Sequence, residues 1–441
     1  MKYIYGISKS GKSIIDYLDQ IDENYFCWDD NKKVRDKLKR LNNKIKLMEP
    51  KKLDYNLIDE SYISPGISLK NKKINILKDN NVKLYRDLEL YSRLTKDKKI
   101  IAITGTNGKS TTTKLISDLL NISSLNNFLG GNIGIPLLDF YRAEKKIHYH
   151  VIELSSFQLE SFVSFHPYIS ILLNLSPDHL DRYENYDEYI AQKKKIFNLN
   201  EKTVNIMCVD YQKTYDIYNQ NSKKIIPISI NPLKRGIYYK NNIIIDNYFP
   251  VKKNVNINLL SPSLNESFNI ENILATYVVS RILDISLENF KNLIKNFKGL
   301  SHRSELIYKD KYLQIINNSK ATNVYSSLKS IENYSNINLI LGGWDKEKNF
   351  NQIINHKNKI NKAYLIGEAA LTIFEQLKKE IDCEICNTLD IAINKIFLDI
   401  KNKIEYQTIL LSPACKSFDQ FRDFEERGNY FKKLIEKKIN A

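Results

Sequence analysis

A chain of 441 residues is longer than one hydrophobic core usually organises, so two or three domains are expected. Its hydrophobic content of 42% and charged content of 27% are those of an ordinary soluble globular protein. The formal charge of +16 would suit an anionic partner, but Lys, Asn and Ile recur along the whole chain without a single basic block, so the charge reads as compositional bias. No RNA-recognition aromatic motif, zinc finger or heptad repeat is present, and no nucleic-acid partner is expected. Five cysteines, an odd number, with one C-x-x-C at Cys383 and Cys386, point to free thiols in a reducing cytoplasm. The N-terminal MKYIYGISKSGK lacks the apolar region of a signal peptide, and no run of 18 apolar residues occurs, so no membrane partner is expected.

The first ninety or so residues have a βαβ rhythm. KYIYGI predicts a strand, SIIDYLDQI a helix, NYFCWDD a strand ending in acids, and SYISPGI a strand running into a Pro-Gly turn. LTKDKK at 94–99 suits a linker. A second α/β unit opens with the strand IIAIT and continues through the helix TKLISDLLN and the strands HYHVIEL and SILLNL. Residues 203–260 are richer in strands, with NNIIID and VNINLL, and the helix NIENILATYVVSRIL follows. A third unit begins near Gly299, where YLQIINNS, INLILGG, KAYLIG and QTILLS are four more strand candidates.

Two glycine loops compete for the phosphates of a nucleotide. GISKSGKS, residues 6–13, fits the Walker A formula G-x-x-x-x-G-K-[ST], whereas GTNGKSTT, residues 105–112, has Gly105 and Gly108 too close together to fit it. Both lie between a strand and a helix, so their companions must decide. From Gly6, the second strand ends at Asp29 and Asp30, about twenty residues on, the spacing at which an acid reaches ribose hydroxyls in a Rossmann-like unit. The loop at 105 is followed by a strand ending in Glu153, suited to Mg²⁺, then by His179 and Lys193. Its glycines let backbone N–H groups face an anion, Lys109 places a charge at the β/γ-phosphates, and Ser110 or Thr111 offers a hydroxyl to Mg²⁺. The chemistry therefore selects the second loop for ATP.

AITGTNGKST resembles the phosphate loop of the Mur ligases, the ATP-dependent amide-forming enzymes of peptidoglycan synthesis. GGNIGIP (130–136), ELSSFQLE (153–160), SPDHLDRY (176–183), GLSHRSE (299–305), NNSKATN (317–323) and LSPACKSFDQFRDFEERG (411–428) are similar to the branch of that family that adds D-glutamate. They are spread over all three units. The resemblance implies an α/β protein of three domains. A Rossmann-like domain at 1–93 takes the UDP-substrate, a central P-loop-type domain at 94–298 with a mostly parallel sheet takes ATP, and a Rossmann-like domain at 299–441 brings the amino acid. It also implies a cytoplasmic monomer that joins D-glutamate to the L-alanine carboxylate of UDP-N-acetylmuramoyl-L-alanine with ATP and Mg²⁺. A folylpolyglutamate synthase, which shares the short loop, and a nucleotide-dependent switch are the alternatives.

The family pattern further implies roles residue by residue. Gly105, Thr106, Asn107, Gly108, Lys109, Ser110 and Thr111 hold ATP, with Asn272, Arg303, Asn318 and Lys320. Ser110, Glu153, His179 and Lys193, the last as a carbamate, serve the metal, and Lys109, His179 and Lys193 the catalysis. Ser8, Lys9, Ser10, Asp29, Asp30, Ser64, Gly66, Asn132 and His179 contact the UDP-substrate. Lys346, Ser417 and Phe424 contact D-glutamate. Two positions depart from the family: Asn318 stands where Asp is usual, and Phe268 where a His usually precedes the first Asn. Lys194 and Lys195 adjoin Lys193, so its register rests on the alignment.

Overall fold

The computed structural model describes residues 1–440 apart from 43–44, 143–146, 180–181, 198–201, 265–268, 345–348 and 402–404. Lys346 and Phe268 lie outside the described residues. The backbone forms two compact units, one of residues 1–260 with 269–296, the other of 261–268 with 297–441.

The first unit holds two sheets. Strands Tyr25–Trp28, Lys2–Tyr5, Glu60–Ile63 and Lys83–Tyr85 lie in that spatial order, all parallel. The chain departs from the strand Lys2–Tyr5 to opposite sides, so the loops after Tyr5 and Ile63 flank a switch point, where open α/β sheets bind ligands. The nine-stranded sheet runs Lys253–Asn256, Ile243–Asp246, Ile237–Lys240, Ile225–Ser229, Val204–Cys208, Ile169–Leu172, Lys99–Thr104, Tyr149–Glu153, Asn127–Gly131. Its pairings are parallel from Asn127–Gly131 as far as Ile237–Lys240, and the last two are antiparallel. The strand Lys99–Thr104 sits between Ile169–Leu172 and Tyr149–Glu153 and is a second switch point, directly before the loop at 105. The IIAI of IIAIT and the ILL of SILLNL are apolar at successive positions because parallel strands are covered on both faces.

One core joins the two sheets. Ile4, Ile14, Leu88, Tyr91, Ile100 and Ile152 belong to a single cluster of buried side chains. Tyr91 Oη lies 2.8 Å from His150 Nδ1 within it. Burial holds the His150 imidazole down at about 4, so the ring is neutral at pH 7.

The second unit carries a six-stranded sheet in the order Glu305–Lys309, Leu313–Asn317, Gln407–Leu411, Ile337–Gly342, Ile360–Ile366, Cys383–Asn387, antiparallel only at its first pair. The four strands expected there are present. Glu305–Lys309 and Cys383–Asn387 join them at the two edges, where polar residues interrupt the apolar pattern. Cys383 and Cys386 are both free thiols on the second of these edge strands.

Candidate active site

The loop at 105 takes its shape from its glycines. Gly108 caps the helix Lys109–Ile122 with φ 80°, and a Cβ there would run into the Asn272 amide. The loop is tied to the neighbouring strand end. Thr106 N donates to Asn174 O at 2.9 Å, and Asn107 N to Asn174 Oδ1 at 2.8 Å. Lys109 folds back over the turn, its Nζ donating to the carbonyls of Gly105 and Thr106, each at 2.8 Å. Thr111 is half-buried in the first helical turn. Thr112 Oγ1 donates to Asn272 Oδ1 at 3.0 Å, which fixes the helix Asn269–Ile282 beside the loop.

Glu153 is the meeting point of three expected residues. It ends its strand 2% exposed, accepting from Ser110 Oγ at 2.5 Å and from Asn132 Nδ2 at 2.7 Å. A hydroxyl and a carboxylate are hard oxygen donors, the set that suits Mg²⁺ shared with phosphate oxygens. Among the described residues no group of three His, Cys, Asp or Glu could hold a metal unaided.

The three consecutive lysines are told apart by burial. Lys193 is 2% exposed, while Lys194 and Lys195 face solvent. Lys193 Nζ donates to Gly105 O at 2.7 Å and lies 4.9 Å from the centre of the Tyr189 ring. Burial pushes its amine well below the ordinary lysine value, and the positive charge of Lys109 pushes the same way, against Asp178 and Glu153. His179 is held in left-handed backbone, φ 54°, with its ring 4.7 Å from that of Phe157 and its Nε2 3.5 Å from Asp178 Oδ2.

The Walker A look-alike is built differently. Gly11 lies inside the helix Lys9–Gln20, and a Cβ there would strike the Gly6 carbonyl, so the second glycine serves close packing of helix on strand. Lys12 pairs with Asp16 one turn on, at 2.6 Å. The strand ends here enclose a cleft of about 250 Å³, whose walls include Ser8, Asp29, Asp30, Ser64 and Gly66. Asp29 accepts from Ile7 N at 2.9 Å. Asp30 accepts from Tyr5 Oη at 2.9 Å and Lys73 Nζ at 2.6 Å. Partial burial pushes the Asp30 carboxyl up, but the donors Lys73, Tyr5 and Trp28 outweigh it and hold the group below its ordinary value. Lys9 is exposed at the helix start, and Ser10 turns to the buried Asp87; neither lines this cleft.

In the second unit, Lys320 Nζ stands 3.6 Å from the centre of the Phe424 ring. Ser319 Oγ donates to Phe424 O at 2.9 Å, and Arg427 Nη2 donates to Ser319 O at 2.9 Å and Cys415 O at 3.1 Å. Arg303 is half-buried in the turn before the first strand, its N donating to Leu300 O at 3.2 Å. Asn318 accepts from Ser304 N at 3.3 Å and donates from Nδ2 to Ser412 Oγ at 3.4 Å, a donation the usual carboxylate could not make. Ser417 is buried, and its segment is bound to the loop after Gly342 by paired Trp344 and Lys416 backbone bonds of 2.8 and 3.2 Å.

Sequence reasoning did not single out Asn174, Tyr189 or Glu271. Asn174 Nδ2 donates to Glu271 Oε2 at 3.1 Å, and Tyr189 Oη lies 3.0 Å from Thr106 Oγ1. The available signal was an Asn directly after the apolar run ILL of SILLNL, just past the end of the strand beside the loop strand.

Comparison with known proteins places this geometry. Residues 103–280 match the Mur ligase middle domain. The UDP-N-acetylmuramoylalanine–D-glutamate ligase of Rickettsia prowazekii is 38% identical over 98% of this chain and 96% of its own. That of Wolbachia pipientis is 34% identical over the same shares. Among solved structures, UDP-N-acetylmuramate-alanine ligase from Thermotoga maritima aligns over 99% of both chains, with a TM-score of 0.59 and 16% identity. MurF ligase from Thermotoga maritima, solved in complex with ADP, aligns over 88% of this chain and 97% of its own, with a TM-score of 0.58 and 17% identity. The two structures share the fold, while the near full-length sequence likeness carries the kinship: the chain belongs to the UDP-N-acetylmuramoylalanine–D-glutamate ligase family of the Mur ligases.

Proposed function

We propose that this protein ligates D-glutamate to the L-alanine carboxylate of UDP-N-acetylmuramoyl-L-alanine at the expense of ATP, in peptidoglycan precursor synthesis. The observation that carries this reading is the likeness to D-glutamate ligases over nearly the whole chain. In the proposed division of labour, residues 1–93 hold the UDP end, 94–298 hold ATP, and 299–441 bring the amino acid. The proposed setting is a cytoplasmic monomer. No helix among the described residues is long and apolar enough to cross a membrane.

A carboxylate is a poor electrophile that repels nucleophiles. In the proposed reaction one of its oxygens takes the γ-phosphoryl of ATP and ADP leaves, giving an acyl phosphate. The D-glutamate amine then attacks the acyl carbon and loses a proton, and the tetrahedral intermediate expels phosphate as the amide forms. Anions must meet at one place, so fixed positive charge is the main requirement. Lys109 and the N–H groups of Gly108 and its neighbours would supply it at the β/γ-phosphates. Ser110 and Glu153 would hold Mg²⁺, which neutralises phosphate charge when bound, with His179 and carbamylated Lys193 serving a second ion. Asn132, which donates to Glu153, is assigned to the acyl substrate. Asn272 and, from the second unit, Arg303, Asn318 and Lys320 are assigned to the nucleotide.

D-glutamate presents two carboxylates, so its site needs two sets of donors. Lys346, the Ser417 hydroxyl and the Phe424 backbone are the proposed ones. A site built to pair both charges rejects an amino acid that leaves its donors unpaired. Phosphate release should therefore be fast with D-glutamate and slow with D-glutamine, L-glutamate and L-lysine. L-lysine or a diamino acid as the better acceptor would move the chain to another specificity within the same chemistry.

A further inference from the structure

Two arginines share one carboxylate beneath the wall of the UDP cleft. Arg86 is fully buried. Its Nη1 donates to Ile63 O at 3.0 Å and Ser64 O at 2.8 Å, and its Nη2 to Ile67 O at 3.0 Å and to Glu160. Arg182 Nη2 donates to the same Ile67 carbonyl at 3.1 Å and to Glu160 Oε2 at 2.8 Å, while its Nε reaches Glu160 Oε1 at 3.0 Å. Tyr183 Oη adds a bond to Oε1 at 3.1 Å. Every acceptor other than Glu160 is a backbone carbonyl of residues 63–67, the stretch that carries Ser64 and Gly66 into the cleft.

The same carboxylate reaches the catalytic side. The Arg182 guanidinium stacks 3.9 Å above the Phe157 ring, and Phe157 packs edge-on against His179. Arg182 N and Tyr183 N both donate to His179 O, at 3.0 and 3.3 Å, so Arg182 and its neighbour are tied to His179. Two guanidiniums on one carbonyl repel each other unless an anion lies between them, and Glu160 is the carboxylate that both contact.

We infer that Glu160 is a positioning residue for the ligation: by clamping Arg86 and Arg182 it fixes the 63–67 wall of the UDP cleft and ties that wall, through Arg182, to His179. The inference rests on the proposed substrate reading. Glu160 touches no reacting atom; it acts through the arginines. Glu160→Gln keeps the shape but loses the charge, so the arginines separate and the wall shifts.

The test compares wild type, Glu160→Gln and Glu160→Asp, measuring the KM for UDP-N-acetylmuramoyl-L-alanine and for ATP on the same preparations. In Glu160→Gln the KM for the UDP-substrate should rise about 10-fold or more, the order of loss that a displaced positioning group causes, while that for ATP stays within about twofold. Glu160→Asp, which keeps the charge on a shorter arm, should recover part of the loss. A merely structural Glu160 would lower the melting temperature and leave both KM values of the folded variant alone. Unchanged values, or equal rises for both substrates, overturn the inference. If Glu160→Gln does not fold, Glu160→Asp decides by the same criterion. Failure of the wild type to ligate would refute the substrate reading instead. Calorimetric titration of UDP into wild type and variant would then still decide this one, weaker UDP binding supporting it and equal binding overturning it.

Discussion

Lys109→Ala should lose ligation almost completely, with turnover down by about 10²–10³ or more, the scale of removing one preorganised charge from a phosphoryl-transfer site. The Lys109 ammonium lies at its own loop, donating to two of the loop's carbonyls. Lys12→Ala should leave ATP binding nearly unchanged, although Lys12 occupies the lysine position of a formally better Walker A match. Its side chain is 46% exposed and engaged with Asp16, an exposed i,i+4 pair worth at most about 1 kcal/mol. Any effect it has should fall on the UDP-substrate. Titrating both variants with ATP separates the two loops: loss of ATP in Lys12→Ala with retention in Lys109→Ala would reverse the assignment.

Lys193→Ala should be nearly inactive and partly restored by a small carboxylic acid such as acetate or formate. A buried lysine kept neutral is a nucleophile for CO₂: the amine nitrogen bonds to carbon, one proton leaves, and a carbamate anion replaces what would have been a cation. Burial and Lys109 both drive the amine toward that neutral form, and the carbon would be added beside Gly105 O, at the phosphate loop. Activity of the wild type should fall in CO₂-depleted buffer and return with bicarbonate. Lys193→Arg, a fixed cation, should be inactive and resist rescue. Full activity in Lys193→Ala would rule the carbamate out.

Much of this was legible in the sequence for physical reasons. Strands covered on both faces, such as those carrying IIAI and LIL (339–341), need apolar residues at successive positions and so declare themselves. The loop at 105 is proposed for ATP over its look-alike because a strand ending in Glu153 follows it in the sequence, and the structure brings Ser110 to within 2.5 Å of Glu153. What could not be read depends on pairing between residues far apart in the chain. Arg86 and Glu160 are separated by 74 positions and come together only when the two sheets share a core. Which of the three lysines is buried could not be read from the sequence; the helix Tyr186–Lys194 turns Lys193 inward and leaves Lys194 exposed. Ser10 is a polar residue at a helix start like Ser8, yet it faces Asp87 rather than the cleft, a distinction of helical phase that a glycine-rich motif does not carry.

In the proposed reaction the carboxylate is activated by direct transfer of phosphoryl from ATP before D-glutamate is joined to it. UDP-N-acetylmuramoyl-L-alanine labelled with ¹⁸O in the alanine carboxylate, turned over with ATP and D-glutamate, tests it by mass analysis of the released phosphate. An acyl phosphate requires one labelled oxygen in each phosphate and the other in the amide product. Unlabelled phosphate accompanying amide formation would contradict the account.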